Sequence, residues 1–271
     1  MVRKFLVPLL LVILCALTVL SHFISPKIED HGRSHGYAWE TYDSSYFSKY
    51  QSVRDIIDTA DRHFMATEKN SLAYYNYIAS IVRKRFYHGY SRYSMNDNPL
   101  AAIAGNLVWD HLSAIVIADD IMKHPMAACN QQALVLMEIF KRNGVNFRKV
   151  AFTKHYTVEA WIEGDWRYFD TDVEPNFHNR RTSLDNLLAT KRFDTIYSVT
   201  GDLEAVKLAT SVHSYGKAND NPAPRAEFFH RACYVLTSKS FLIISCMLVV
   251  LFGFEMRAVQ QVYAWRLRFT R

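Results

Sequence analysis

Apolar residues along this chain change their spacing twice, and each change implies a different kind of element. In residues 53–65 and again in 72–86 they recur with a helical period. Ile56, Ile57, Ala60 and Phe64 form one stripe, and Tyr75, Ile78, Ile81 and Val82 form another. Two amphipathic helices with core-facing stripes are predicted. Asn96-Asp97-Asn98-Pro99 reads as a turn. The apolar-rich stretches 100–108 and 114–122 predict two more helices, the second broken before His124-Pro125. A longer helix is expected from Cys129, burying Ala133, Leu136, Met137 and Phe140, with Gly144 suited to the C′ position. From Asn146 the period shortens to two. Residues 146–152, 155–162 and 166–169 are rich in β-branched and aromatic side chains, and Glu163-Gly164-Asp165 reads as a hairpin turn. Helical stretches around 183–189 and 203–209 follow, with no internal repeat.

Close to both ends the apolar runs lose their polar interruptions. Residues 5–24 are apolar apart from Thr18, Ser21 and His22 and follow Arg3 and Lys4. At about 1.5 Å rise per residue they match a bilayer core of roughly 30 Å, which favours an uncleaved signal anchor over a cleaved signal peptide. A second run, 240–254, is short for a span but is extended outward by Tyr234, Val235 and Leu236 if Lys239 snorkels. Arg257, Arg266, Arg268 and Arg271 follow it, so the positive-inside rule puts both termini in the cytoplasm. The expected organisation is a cytoplasmic N-terminus (1–4), a transmembrane signal anchor (5–24) and a linker (25–45). An extracytoplasmic domain (46–215), a linker (216–233), a transmembrane helix (234–254) and a basic cytoplasmic tail (255–271) complete it. Localisation is then the inner cell membrane with a periplasmic domain. The formal charge of +6 and pI near 9.0 reflect this topology and not a nucleic-acid partner.

Four cysteines make no disulfide framework. Cys15 and Cys246 lie inside the apolar runs, Cys233 precedes the second, and no spacing argues for a Cys129–Cys233 bridge. Cys129 opens its helix, where the macrodipole favours a thiolate in general. His155 comes 26 positions later and Asp170 another 15. The hairpin should bring His155, at the start of one strand, to Asp170, at the end of its partner. Nucleophile, base and orienting acid then stand in the order acyl transfer requires. The Cys129 backbone N–H is a natural oxyanion donor, with Asn106 and Trp109 as weak candidates for a second. Asp172 reads as a solvated loop acid, with a second orienter as the alternative, and Lys84-Arg85 as an exposed basic helix end. No paired Cys or His shows ligand spacing, so neither metal nor cofactor is expected.

The stretch 129–175 resembles the core of the transglutaminase-like, papain-like cysteine enzyme superfamily. The likeness is carried by Cys129, Ala133, Gly144, Arg148, His155, Glu159, Gly164, Trp166 and Phe169-Asp170, and its Cys-Asn-Gln-Gln opening is most similar to bacterial membrane-anchored members. Tyr156 after His155 and Thr171 after Asp170 depart from that pattern. The resemblance implies an α+β fold: a helix carrying the cysteine packed on a small antiparallel sheet, with flanking helices and two terminal transmembrane helices. It implies catalysis by Cys129 as nucleophile, His155 as base and Asp170 as orienter, with structural roles for Glu159 and Trp166. A membrane-anchored thiol enzyme acting on a peptide or protein amide is expected, hydrolysis favoured over cross-linking. The alternative is a non-catalytic scaffold in cell-envelope or surface-polysaccharide assembly.

Overall fold

The computed structural model of the chain describes residues 37, 39–153, 155–173, 175, 177, 180–198 and 213–238, with 247, 250, 251 and 257 as isolated positions. Two compact units emerge. One is drawn from Glu29–Arg92 and Ala114–Glu227, the other from Met1–Ile28, Tyr93–Ser113 and Phe228–Arg271.

The larger unit is α+β. Helices α1 (Ser44–Lys49), α2 (Val53–His63) and α3 (Leu72–Arg85) each start at a side-chain cap. Asp43 accepts from Ser45 N–H, and Ser71 accepts from Tyr74 N–H. Ser52 and Asp55 exchange bonds as a capping box, each satisfying an orphan N–H of the first turn. Of these α1 was not foreseen, because its apolar face is too short to show a period. α3 ends in Arg85, which is fully buried rather than exposed. Its guanidinium donates to the carbonyls of Tyr50, His124 and Met122 and lies over the rings of Phe47 and Phe86. Three carbonyls converging on a fixed fork of N–H donors make burial tolerable; even so, desolvation lowers its pKa to about 10.

Residues 114–117 are extended where a helix was expected; only α4 (Ala118–Ile121) forms. Ala114 bridges Arg92, Ile115 N–H donates to Ser91, and the Gln131 amide takes the Ile115 carbonyl. The β-branched run Ile115-Val116-Ile117 accepts that extended geometry readily. Helix α5 (Cys129–Arg142) packs on the sheet and on α3, with Phe140 between Tyr75 and Phe169 at ring separations of 5.0 and 5.4 Å. It ends at Asn143, and Gly144 takes φ 70°, the left-handed C′ position.

Strands β1 (Phe147–Ala151), β2 (Tyr156–Ile162) and β3 (Asp165–Phe169), with β4 (Ser214–Tyr215), form an antiparallel sheet in the order β3-β2-β1-β4. The β2–β3 turn is two residues, not three: Glu163 (φ 53°) and Gly164 (φ 78°) form it, and Asp165 pairs with Ile162. Two consecutive positive φ values suit the right-handed twist of the strands. Beyond β3, α6 (Leu184–Ala189) and α7 (Phe193–Ser198) cover Tyr168 and Val150 with Leu184, Leu187, Phe193 and Ile196.

In the smaller unit, α8 (Pro99–Leu107) begins at an Asn98 cap with Pro99 in its first turn. Helix α9 (Pro224–Ser238) has its residues from Phe228 onward in this unit. His230 lies within it: its carbonyl accepts from Asn98 Nδ2 and its ring bonds the Leu112 carbonyl. The expectation of two terminal transmembrane helices is corrected here. Among the described residues no helix is long and apolar enough to cross a membrane. The segment assigned to a span from 234 is instead, as far as Ser238, the end of α9, which carries Arg225, Glu227 and Arg231. Charges within its first two turns exclude it from an apolar run of bilayer length. The 5–24 segment, the predicted helix at 203–209 and most of 239–254 lie outside the described residues.

Candidate functional site

Three elements of the larger unit converge at the N-terminus of α5. Cys129 is the first residue of that helix, so its N–H is one of the four with no intrahelical acceptor. The turn before it is held by Gln131, which is 1 % exposed. Gln131 Oε1 accepts from Ser91 N–H at 2.8 Å and Ala128 N–H at 3.3 Å, while its Nε2 donates to the carbonyls of Ser91 and Ile115, each at 2.8 Å. All four hydrogen bonds of one carboxamide are therefore used to tie the Ser91, Ile115 and Ala128 backbone to the first turn of α5.

His155 closes the β1–β2 hairpin: Phe152 N–H donates to its carbonyl at 2.8 Å. It stands one residue before β2, not within it. Asp170 stands one residue after β3. Since Val158 pairs with Phe169, Asp170 falls diagonally opposite His155 on the same side of the ladder. His155 Nε2 and Asp170 Oδ2 are 2.6 Å apart. The same oxygen accepts from Tyr197 Oη–H of α7 at 2.7 Å, and Oδ1 accepts from Val173 N–H at 3.3 Å. Tyr197 spends its single proton on the carboxylate, so the 2.7 Å contact between Tyr168 and Tyr197 hydroxyls has Tyr168 as donor.

Burial by itself would depress the His155 pKa. The Asp170 charge, the hydrogen bond to it and a further one to Cys129 outweigh that and hold it well above the ordinary value. For Asp170 burial pushes upward, and the His155 charge with bonds from His155, Tyr197 and Val173 wins, leaving the carboxyl below the usual range. An imidazolium–carboxylate pair is the consistent state. Ligand-capable atoms of Cys129, His155 and Asp172 lie within 4.8 Å of one another. The structure thus brings Cys129, His155 and Asp170 into one cluster. Asn106 and Trp109, the sequence candidates for a second oxyanion donor, are exposed residues of the other unit.

Asp172 is not a solvated loop acid. It is 5 % exposed. Its carboxylate takes His88 Nδ1 at 2.9 and 3.0 Å and Gln132 Nε2 at 2.9 Å. Burial raises its pKa, and the bond and charge of His88 only partly offset this. His88 itself is raised: burial lowers it, but Asp172 and Glu40 prevail. Backbone pairing of Tyr87 with Pro125 and Ala127 brings the His88 segment alongside α5. Sequence reasoning missed His88 and Tyr197. Neither stands at a spacing that marks it, since His88 comes from a loop 41 positions before the thiol (129 − 88).

Glu159 and Trp166 lie away from this cluster. Glu159, fully buried, takes Arg148 at 2.7 Å and Leu184 N–H at 2.6 Å. The Arg148 guanidinium is sandwiched between Trp166 and Tyr215 at 4.4 and 3.8 Å. Cys129 and Cys233 are both free thiols. Comparisons with protein-family models, curated proteins and solved structures return no match to this chain.

Proposed function

We propose that the chain is a transglutaminase-like thiol enzyme that acts on an amide or peptide bond through a thioester at Cys129, with hydrolysis favoured over cross-linking. The observation that carries this reading is the clustering of Cys129 with His155, with the sulfur at a helix N-terminus and the imidazole held by the buried Asp170 carboxylate.

The roles follow from which atoms are committed. Asp170 holds Nε2 of His155, leaving the other ring nitrogen for the thiol. The proton shared by sulfur and imidazole rests on His155 as the imidazolium, and the Cys129 thiolate forms a C–S bond to the substrate carbonyl carbon. Charge on the carbonyl oxygen is met by the Cys129 N–H, which has no intrahelical acceptor. The intermediate collapses as His155 returns the proton to the departing amine, which leaves with the C–N bond pair. Water, deprotonated by the same imidazole, then attacks the thioester, releasing the acid and restoring the thiol. Tyr197 and Val173 act through Asp170 and touch no reacting atom.

The test is active-site labelling of the full chain with an electrophilic peptide amide analogue, read by mass at the Cys129 peptide. Wild type is labelled and Cys129→Ala is not. His155→Ala labels roughly 10²- to 10⁴-fold more slowly, the range for a positioned general base. Equal labelling of Cys129 in wild type and His155→Ala rejects the mechanism and favours a binding scaffold.

A further inference from the structure

Cys129, His155 and Asp172 are separated in sequence by 26 and 17 positions (155 − 129; 172 − 155), with no ligand spacing between them. Folding nevertheless sets one donor atom of each within 4.8 Å of the others. A tetrahedral zinc ion with bonds of about 2.0 to 2.3 Å needs donors about 3.3 to 3.8 Å apart, so side-chain adjustments of about 1 Å close the set. The donors are a sulfur, an imidazole nitrogen and a carboxylate oxygen, a mixture suited to borderline divalent ions and not to calcium or magnesium.

The surroundings are those of a ligand set. The Asp170 carboxylate holds Nε2 of His155 at 2.6 Å, which fixes the ring and leaves Nδ1, once deprotonated, as its metal donor. Asp172 is oriented by His88 and Gln132. A separate observation concerns Gln132, only 2 % exposed. Its Nε2 bonds Asp172 and the Ala127 carbonyl, while Oε1 of the same carboxamide has no hydrogen-bond partner among the described residues. A buried acceptor left wanting a donor calls for explanation. A water on the fourth position of a metal bound to Asp172 would supply that donor.

We infer that Cys129, His155 and Asp172 form a site for a zinc-like divalent ion, and that occupancy masks the thiol. Binding displaces the proton held by the imidazolium and leaves a sulfur–metal bond where the nucleophile would act. The metal site stands on donor geometry. Its regulatory meaning rests on the thiol-enzyme reading.

The experiment uses the full chain, stripped with chelator and titrated with cobalt(II) and then zinc(II). Wild type binds one equivalent of cobalt with a thiolate-to-metal charge-transfer band that zinc bleaches. Cys129→Ser loses the band, and Asp172→Asn weakens affinity at least about tenfold, as loss of a direct ligand requires. Zinc slows iodoacetamide modification of the Cys129 peptide, and chelator restores it. Absence of the band in folded wild type overturns the proposal whatever the variants do, and so does affinity unaltered by Asp172→Asn. Chelated protein that labels through Cys129 but never shows the band refutes the metal site alone. Cobalt binding in a protein that never labels supports the metal site while rejecting the enzyme.

Discussion

Asp170→Asn removes the charge that three donors address while nearly preserving shape. In wild type the carboxylate accepts from His155 Nε2 at 2.6 Å, Tyr197 Oη at 2.7 Å and Val173 N at 3.3 Å, in a site 2 % exposed. Hydrogen bonds to charged groups contribute about 1.5–3 kcal/mol each, and breaking a buried pair costs about 3–5 kcal/mol. The carboxamide oxygen still accepts one bond, and its NH₂ meets a donor on the other side. We expect a loss of about 3 kcal/mol, or a Tm fall of about 6–12 °C at this chain length. The pH dependence has a defined sign. Asp170, lowered in the folded state, contributes stability above its ordinary unfolded value of about 4, and loses it as pH falls through the folded pKa. His155, raised well above its ordinary value of about 6.5, contributes fully below that value and loses its contribution as pH rises through the folded pKa. The wild-type advantage is therefore greatest between about pH 4 and 6.5 and shrinks above it. Urea unfolding of both proteins at intervals from pH 4 to 9 measures it. A deficit under about 1 kcal/mol at pH 5 to 6, or one that grows toward pH 9, refutes the ion-pair argument.

Tyr197→Phe takes a donor from Asp170 and the acceptor from the Tyr168 hydroxyl, both buried; unfolding should cost about 2 kcal/mol less. The ring nitrogens of His155, followed by NMR, should titrate at higher pH in this variant, because a carboxylate with one donor fewer holds the imidazolium more tightly; an unchanged midpoint would show that Tyr197 does not tune the pair. Gln131→Ala frees Ser91 N–H, Ala128 N–H and two carbonyls from their shared partner. A loss of about 3 kcal/mol with faster amide exchange at Ser91 is expected, and a loss below about 1 kcal/mol would mean water or a neighbour takes its place.

Local chemistry determined much of this chain. The periodic stripes around Ile56 and Ile78, the glycine at 144 and the switch to β-branched residues after Asn146 are short-range signals. The elements they imply lie within a few residues of those observed. A hairpin also fixes its own diagonal, so the meeting of His155 with Asp170 could be read before any coordinates. Elements without a period of their own could not be read: the six-residue helix at Ser44–Lys49, the two-residue strand at Ser214–Tyr215 and α7. Apolar runs were read as spans on their hydrophobicity and their basic flanks. Yet Tyr234–Ser238, where the second run was taken to begin, belongs to a helix whose earlier turns carry Arg225, Glu227 and Arg231. Long-range contacts decided the remainder. Arg85 is buried because three carbonyls from distant loops converge on it, and Asp172 because His88 and Gln132 arrive from other elements. Whether a charged residue is solvated depends on what folding brings to it, and sequence separation holds no record of that.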